Sequence, residues 1–450
     1  MKKLLIISIA LTFFYTSCND VNEIAPLPEN ASGAFIPKHY PSDLAGEWNK
    51  LQMHLSRTTP GFGVQFAGRA FAYSGLTLYE SIVEGMPGYQ SVASFLIGSD
   101  ITSRTGIPAI YWPASANAAM ASILRDMIPN ATADGKAQID ALEASFQSQF
   151  RLEAPSFNLQ PSIDYGRRVA ASIFEWSKSD GFAEALAKNN TYTIPTGFGL
   201  WERTPPALAF PVNTFLGEVR TFVPNSASLT LAPPPASYSE EPGSDFHNQA
   251  NEVYTISQSL TEYDVLTVKT WGEFPGNLTN ILRHKQLAIL VIEEAGVSLD
   301  QAALAFARHG MACQDAVIGV FKSKYTYNVM RPITYIRNVL GYTTWNPVHT
   351  TPAHPEYPAA HATVGRAASR ALESVFGTNY GFTDRTHEDL YGARYYNNLK
   401  EYSDEGGWSR VLGGIHYIAS VEAGTHQGER AADLVLQLPW KSSFASSNGQ

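Results

Sequence analysis

The sequence predicts an all-α protein, a multi-helix bundle whose helices are joined by long irregular loops. From Leu44 onward, apolar residues recur every three or four positions through most of the chain, which is the period of an amphipathic helix. Residues 190–245 are instead rich in proline, threonine and aromatic residues, and Pro233-Pro234-Pro235 marks a long loop there. The chain has 450 residues, of which 44% are hydrophobic and 16% charged, so it can bury a large core.

The loop divides the chain into two helical halves. The N-terminal helical half spans residues 43–232, with helices predicted over about 62–84, 114–129, 136–150 and 162–178. The C-terminal helical half spans residues 246–440, with helices predicted over about 246–259, 278–295, 299–323, 361–376 and 407–427. Short strands within 190–245 remain an alternative. Seven of the eleven histidines lie at or after His309, which indicates that the chemistry belongs to the second half, in a core region over 299–435.

The first residues carry the features of an export signal. Lys2 and Lys3 precede an apolar run over residues 4–15, and small residues follow, which predicts a signal peptide over residues 1–17. The next residue resembles the cysteine of a bacterial lipoprotein signal, which implies that Cys18 is lipidated and that residues 18–42 form a tether. An ordinary signal with an incidental cysteine is the alternative. We expect an exported protein and, with lipidation, a cell-envelope lipoprotein that faces the periplasm or lies at the cell surface.

Charge and composition limit the classes of binding partner that we expect. The formal net charge is −9, so we expect no nucleic-acid partner, and any anion site must consist of a few placed cations. No stretch of about 18 apolar residues follows the N-terminus, so membrane contact is expected only through the lipid anchor. Cys313 would be an unpaired thiol that acts as a small buried hydrophobe. The helical N-terminal half could support a homodimer, although no residue pattern requires one.

The first candidate site lies in residues 354–366. Pro355 and Pro358 hold the approach extended, and a predicted helix begins at His361. Backbone N–H groups at a helix start are unpaired and the helix dipole is positive there, so His361 with the N–H of Ala360 suits an oxyanion. A surface turn with a solvated histidine is the plain alternative.

The second candidate site lies at the end of the helix that follows Ser298. Ser298 to Gln301 has the sequence of a capping box. The buried stripe of this helix continues to Lys324, where a cation is costly unless it meets an anion. Arg331 follows seven residues later, nearly two helical turns, so both should point the same way, although Pro332 discourages Arg331 from continuing the helix. Two such cations predict a multivalent oxyanion, and the alternative is a lysine that reaches solvent.

The third candidate site lies within the helix predicted over 407–427. His416 falls in its buried stripe, and Arg410 is six residues earlier, about 120° around the helix, so the two would meet one anion only through the length of the arginine. Gly413 and Gly414 would let a ligand or backbone approach closely. A core histidine with satisfied hydrogen bonds is the alternative.

Together the three stretches resemble the signature of a known superfamily, which joins vanadium-dependent haloperoxidases to type 2 phosphatidic acid phosphatases and bacterial acid phosphatases. The matching elements are Lys324, six residues and Arg331-Pro332; Pro358-Ala-Ala-His361; and Ser409-Arg410, five residues and His416. The sequences of residues 324–334, 354–358 and 409–416 are similar to those of the soluble bacterial haloperoxidase-like branch. The resemblance covers about residues 260–435. It implies a helical bundle of the haloperoxidase and acid phosphatase type.

The resemblance also implies roles. His416 would ligate vanadium in a vanadate enzyme, or take the phosphoryl group in a phosphatase. His361 would be the acid–base group for hydrogen peroxide or for a leaving alcohol. The oxygens of the tetrahedral anion would be held by Lys324, Arg331, Arg410 and the backbone N–H of Ala360.

Further positions are expected in the pocket wall or just behind it. His354 occupies a place that bears on halide handling in the family, and Gly414 and Ala359 flank the site. Glu273 is our candidate for the carboxylate that orients a histidine, with Asp315 as its competitor.

One departure concerns the residues before the acid–base histidine. The family usually has serine and glycine there, whereas this chain has Ala359 and Ala360. Ala359 lacks a hydroxyl whose hydrogen bond to a charged group is worth roughly 1.5–3 kcal/mol. This departure argues against haloperoxidase activity more strongly than it argues against an anion site.

Three functions remain open. The first is an exported vanadium-dependent haloperoxidase that binds vanadate and oxidises halide with hydrogen peroxide. The second is an acid phosphatase without a cofactor, which hydrolyses a phosphate monoester through a phosphohistidine at His416. The third is a non-catalytic lipoprotein that binds an anion or a glycan at a decayed site.

Overall fold

Long amphipathic helices form most of the chain, as the sequence predicts. The computed structural model describes residues 36–101, 110–278 and 280–442, so the predicted signal peptide, Cys18 and the tether up to residue 35 lie outside the described residues. The first helices are α1 Asp43–Thr58, α2 Val64–Glu80, α3 Trp112–Met127, α4 Ala133–Glu153, α5 Ser156–Ser177, α6 Phe182–Lys188 and α7 Ser226–Leu229.

The remaining elements follow the Pro233-Pro234-Pro235 loop. The helices are α8 Asp245–Ser257, α9 Glu262–Trp271, α10 Asn280–Ala295, α11 Leu299–Tyr327, α12 Pro332–Asn338, α13 Ala360–Phe376, α14 Glu388–Tyr391, α15 Leu399–Leu412 and α16 Ile418–Leu436. Single 3₁₀ turns occur at Pro37–His39, Val83–Gly85, Ala93–Phe95, Asn189–Thr191 and Leu216–Glu218. Two short strands, β1 Phe382–Asp384 and β2 Arg394–Tyr396, pair antiparallel with Thr383 opposite Tyr395.

Residues 190–245 form an isolated bridge, between Leu200 and Val329, but in the described ranges the structure places its paired strands only after α13. None of the helices within those ranges is both long and apolar enough to cross a membrane.

The principal hydrophobic core draws on residues of both helical halves, from Leu44 to Trp440. Its centre is the crossing of α2 and α11, where glycines allow the two backbones to touch. A Cβ atom added at Gly75 would lie 2.5 Å from the carbonyl oxygen of Phe306, and one at Gly310 would lie 2.9 Å from Cα of Ala72. The sequence therefore uses glycine here for close helix packing.

Helix α11 carries Lys324 and ends at Tyr327, close to the predicted end at residue 323. It starts at Leu299, but the predicted capping box does not form, because the Ser298 hydroxyl turns to the Asp300 carboxylate and not to the backbone. The helix stops at Asn328, whose φ of +48° is left-handed. Arg331 is extended and precedes α12, so Lys324 and Arg331 reach the same place from two sides of a turn, not along one helix.

The prediction of one helix over 407–427 is wrong. Helix α15 ends at Leu412, a turn follows, and α16 begins at Ile418, so His416 lies on the connection between them. Gly414 makes the turn with a φ of +75°, which favours glycine. Arg410 and His416 therefore approach the site from different directions, and the angle expected between them on one helix does not apply.

Helix α13 begins at Ala360, one residue before the predicted start, and ends before Gly377, as predicted. Its first turn is packed against α16 through two glycines. A Cβ atom at Gly424 would lie 2.6 Å from the carbonyl oxygen of Ala359, and a Cβ at Gly428 would collide with the carbonyl of Thr363. This crossing fixes the position of the α13 N-terminus, and with it that of His361.

Candidate functional site

Buried basic side chains from separate elements converge at the N-terminus of α13. Lys324 comes from the end of α11, Arg331 from the turn before α12, and Arg410 from the last turn of α15. His361 stands in the first turn of α13, and His416 on the connection between α15 and α16. All five are at most 9% exposed. The structure thus brings together the basic residues that the three sequence stretches supplied.

Arg331 joins the two loops that carry histidines. Its Nη1 donates to the carbonyl of Ile415 at 2.8 Å and lies 3.2 Å from Nε2 of His416. Its Nε donates to the carbonyl of His354 at 3.1 Å, and its Nη2 donates to Nδ1 of the same residue at 3.1 Å. Burial lowers the pKa of Arg331 to about 10, so the guanidinium stays charged at neutral pH.

Lys324 is fully buried and is held by backbone oxygens. Its ammonium group donates to the carbonyls of Pro355 and Glu356, both at 2.8 Å. Burial, and then the neighbouring Arg331, lowers the pKa of Lys324 well below its usual range. An oxyanion bound beside Lys324 would favour the charged ammonium, whose third hydrogen has no acceptor within the described residues. Lys324 is therefore ready to donate to an anion.

His416 is oriented by Glu356, a residue that the sequence reasoning missed. Nδ1 of His416 lies 2.7 Å from Oε1 of Glu356, and the same oxygen accepts the N–H of Tyr417 at 3.0 Å. Burial raises the pKa of Glu356 to about 7, while burial and the adjacent Arg331 hold the pKa of His416 well below its usual range. A neutral His416 that donates Nδ1–H to Glu356 keeps a lone pair on Nε2.

Glu273 organises the opposite side of the site. Its carboxylate lies 3.0 Å from Nε2 of His361, 2.9 Å from Nε2 of His349 and 3.1 Å from Nη2 of Arg410. Although desolvation works to raise it, Arg410 and His361 hold the pKa of Glu273 well below its usual range. Burial, and then Arg410, lowers the pKa of His361 to about 4 against the opposing effect of Glu273. His361 is thus a neutral base at neutral pH.

Glu273 occupies the place expected of a carboxylate that orients a histidine, whereas its competitor Asp315 lies elsewhere. Asp315 accepts the backbone N–H groups of Phe222 and Val223 at 2.7 and 3.0 Å. The sequence contained a signal for Glu356, because three buried cations require buried carboxylates and Glu356 lies within the site stretch 354–366. It contained none for His349, which a long loop brings to Glu273.

The other predicted wall positions, His354, Gly414 and Ala359, do not all face the site. His354 contacts Arg331 and packs edge-on against Phe321, with ring centroids 5.4 Å apart. Gly414 does not face the site. A Cβ atom added to it would meet Pro347 and Trp345, and its N–H donates to the carbonyl of Val411. Ala359 is buried against α16, and its N–H donates to the carbonyl of Ser420, while the next residue, Ala360, lines the cavity.

Comparison with known proteins finds a matching family model and similar solved structures. Residues 304–441 match the model of the VCPO second helical-bundle domain. The crystal structure of a protein described as the first bacterial vanadium-dependent iodoperoxidase superposes with a TM-score of 0.77 at 27% identity, and covers 92% of this chain and 97% of that chain. These matches support the superfamily of vanadium haloperoxidases and type 2 phosphatidic acid phosphatases.

Two further haloperoxidase structures share the fold. The holo form of a bacterial vanadium-dependent chloroperoxidase has a TM-score of 0.58 at 15% identity, and covers 84% of this chain and 92% of that one. An apo form gives 0.64 at 14% identity, with 84% and 95% covered. No curated protein sequence matches the chain significantly. The helical haloperoxidase fold therefore extends over both halves of this chain.

The residues present fit the vanadate of the haloperoxidases in this superfamily. Vanadate is a tetrahedral oxyanion, and this site offers hydrogen-bond donors without partners among the described residues. They include the buried Nε of Arg410 and the third hydrogen of Lys324. The first N–H groups of α13 lack intrahelical acceptors and add a positive dipole. The lone pair on Nε2 of His416 supplies a metal ligand.

Proposed function

We propose that this protein is a vanadium-dependent haloperoxidase that oxidises halide, iodide foremost, with hydrogen peroxide. The observation that carries the proposal is the convergence of Lys324, Arg331 and Arg410 on His416 and His361. The 27% identity to an iodoperoxidase over 92% of the chain supports it. Vanadate would be held by the three cations and by N–H groups of α13, with His416 Nε2 as its ligand. When bound, it would supply a Lewis acid that polarises the oxygens of hydrogen peroxide.

His361 and Glu273 supply the proton transfer. The Nε2–H of His361 points to Glu273 at 3.0 Å, so in the neutral imidazole Nδ1 carries the lone pair. His361 can therefore take a proton from hydrogen peroxide at Nδ1, and Glu273 stabilises the imidazolium that results. Groups with this role contribute roughly 10²–10⁴-fold to the rate.

Glu356 keeps His416 ready to act as a ligand. Because Nδ1–H of His416 is donated to Glu356 at 2.7 Å, the ring cannot turn and Nε2 stays unprotonated. Arg331 contacts the same ring nitrogen at 3.2 Å and holds it toward the converging cations. The carboxylate raises the basicity of the imidazole and so strengthens its bond to a metal.

The halide is proposed from the surroundings of the site. The cavity that leads to His361 and His416 is lined largely by apolar side chains, among them Val317, Val320 and Phe321. A large anion loses less hydration energy than a small one when it enters such a space, because the Born cost of desolvation falls with ionic radius. Iodide should therefore enter more readily than chloride, in agreement with the activity named for the 27% identical relative.

The experiment measures triiodide formation from iodide and hydrogen peroxide, with and without added orthovanadate. The proposal expects activity that depends on vanadate, and its loss in His416→Ala. The same preparations are assayed with p-nitrophenyl phosphate in the absence of vanadate. Hydrolysis that vanadate inhibits, without triiodide formation, would instead identify a phosphatase. Binding of vanadate with neither activity would identify a non-catalytic anion-binding protein.

We also propose that the protein is exported and anchored by a lipid at Cys18. The support is the basic, apolar and small-residue pattern of residues 1–18. Metabolic labelling with palmitate in a bacterial host tests it. Label in the wild-type chain and none in Cys18→Ser is the expected result, and an equally labelled variant would contradict it.

A further inference from the structure

The cavity above the anion site is much larger than a halide or hydrogen peroxide requires. Its volume is about 480 Å³, which is the size of a pocket for an organic ligand. His361, Arg410 and His416 lie among its lining residues, so a molecule inside it would be next to the candidate reacting centre.

The wall of this cavity is mainly apolar and its mouth is open. Its apolar lining residues include Val317, Val320 and Phe321 from α11 and Ile281 from α10. Val64 and Val212 also line it, and they are 40% and 42% exposed. Large apolar side chains exposed around a concave opening are typical of a binding site for an apolar molecule.

A few amide side chains interrupt the apolar wall. Gln314 is only 3% exposed and lines the cavity, yet its amide has no hydrogen-bond partner in the part of the chain that the structure describes. Asn280 lines the same cavity, and its buried Oδ1 likewise has no partner among those residues. An unpaired buried amide costs free energy unless a ligand or water satisfies it. These two amides indicate a ligand with a hydrogen-bonding group.

We propose that this cavity binds an apolar organic molecule with a hydroxyl group, such as a phenol, and that the bound molecule receives the oxidised halogen. The proposal rests on the haloperoxidase function proposed above. Gln314 would hydrogen-bond the hydroxyl, while the valines and Phe321 cover the ring. The protein would then halogenate a bound acceptor in place of releasing the oxidised halogen to solution.

Halogenation of the bound phenol would take two steps, and atoms and electrons balance in each. Iodide, hydrogen peroxide and one proton give hypoiodous acid and water, so the iodine is oxidised and the peroxide oxygens are reduced. The ring carbon of the phenol then attacks the iodine, and a C–I bond forms as the I–O bond breaks. The displaced hydroxide combines with the ring proton and leaves as water.

The first test measures binding of two probes, thymol and p-cymene, which differ only in the hydroxyl group. Each is titrated calorimetrically into the isolated protein without vanadate or peroxide, so the result does not depend on activity. Wild-type protein should bind one thymol per chain, about fivefold more tightly than p-cymene, a ratio that corresponds to one net hydrogen bond. Gln314→Leu should remove this difference. Absence of thymol binding, or a difference that persists in the variant, would overturn the proposal.

The matched control is Gln301→Leu, the same change at an exposed position on the same helix, and it should behave as wild type. Thermal melts followed by circular dichroism verify that each variant folds.

The second test compares two reactions of the vanadate-loaded enzyme, iodination of thymol and formation of triiodide. Val317→Trp fills the cavity from the α11 side, and should lower the ratio of thymol iodination to triiodide formation at least tenfold. An unchanged ratio would overturn the proposal. If the wild-type protein formed no triiodide at all, the haloperoxidase function would fail, while the titration would still decide the class of molecule that the cavity binds.

Discussion

At the scale of single residues, two carboxylates set the protonation of two histidines. Glu356 accepts Nδ1–H of His416 at 2.7 Å, and Glu273 accepts Nε2–H of His361 at 3.0 Å. Each histidine therefore keeps its other ring nitrogen unprotonated, Nε2 of His416 beside Arg331 for a metal and Nδ1 of His361 for a proton. Burial, and then neighbouring cations, lowers the pKa of both histidines and keeps the rings neutral at neutral pH.

The first prediction concerns Glu356. In Glu356→Gln the side-chain oxygen can still accept from His416 and Tyr417, but the negative charge that strengthens the imidazole is lost. Because such partners of metal ligands are worth roughly 10–100-fold in affinity, we expect vanadate to bind 10–100-fold more weakly. Equilibrium dialysis measures the affinity. Asp315→Asn is the matched control, since it neutralises a buried carboxylate outside the site, and it should not alter binding. Equal affinities in Glu356→Gln and wild type would contradict the assigned role.

The second prediction concerns Ala359. A hydroxyl at this position would add one hydrogen bond to a charged oxygen, worth roughly 1.5–3 kcal/mol, so Ala359→Ser should bind vanadate about tenfold or more tightly. The control is Ala362→Ser, a buried alanine just beyond His361 in the same helix turn. If the serine at 359 left the affinity unchanged, that position would not face the anion.

The third prediction concerns a buried lysine outside the site. Lys285 is fully buried against the rings of Phe71 and Phe306, and its ammonium has no hydrogen-bond partner among the described residues. Burial lowers its pKa to about 7, whereas the unfolded chain has the ordinary value of 10.5. Between these two pH values the unfolded state binds more protons than the folded state, so this group makes stability rise with pH by about 1.4 kcal/mol per unit.

Lys285→Met should therefore stabilise the fold most at and below pH 7, and its advantage should decline toward pH 10.5. Urea unfolding of both proteins at several pH values gives the difference in free energy of unfolding, in which other titrating groups cancel. Lys136→Met, at an exposed position on α4, is the control and should show no such trend. A difference that is constant with pH would show that Lys285 keeps an ordinary pKa.

At the scale of the elements, the crossing of α13 and α16 positions the anion site. Ala359 and Ala360 lie where α13 begins, and Gly424 of α16 packs directly against the carbonyl of Ala359. A Cβ atom added at Gly424 would lie 2.6 Å from that carbonyl oxygen. The backbone donors of the site are thus held by a helix contact that only glycine permits.

Gly424→Ala should force this carbonyl, and with it the start of α13, away from α16. We expect a loss of about 1–3 kcal/mol in the free energy of unfolding and weaker vanadate binding. The comparison is Gly46→Ala in α1, where the added Cβ meets only the end of the Glu293 side chain at 3.1 Å, which can move aside. Urea unfolding and vanadate titration of both variants test this, and a Gly424→Ala protein as stable as Gly46→Ala would refute the packing argument.

At the scale of the whole molecule, the site lies against a core that both helical halves build. Helix α11 carries Lys324 at its end and crosses α2 of the first half at Gly75 and Gly310. The large cavity is lined from both halves, by Val64 and Val212 as well as by Val317 and His361. The net charge of −9 does not prevent anion binding, because the cations are concentrated at one place.

Much of the fold followed from periodicity, since long amphipathic helices such as α11 and α13 bury one continuous stripe. The break between α15 and α16 did not, because apolar residues continue through Gly413 and Gly414 in nearly helical phase. Its signal was the glycine pair itself, since Gly414 adopts a left-handed φ that ends a helix.

The basic members of the site could be predicted from their spacing, because each interrupts an apolar pattern or precedes a proline. The carboxylates were harder, because nothing in local sequence says which histidine an acid will meet. Glu356 pairs with a histidine 60 positions later, and Glu273 with one 88 positions later, so only the fold could assign them.

The central claim is that basic side chains from separate elements form a single site for one tetrahedral oxyanion. Calorimetric titration with orthovanadate tests it most directly, in the wild-type chain and in Lys324→Ala, Arg410→Ala and His416→Ala. We predict one vanadate per chain, competition by phosphate, and at least tenfold weaker binding in each variant, since each removes a charged donor or the ligand. No saturable binding, or a loss confined to one of these variants while the others bind as wild type, would contradict the claim.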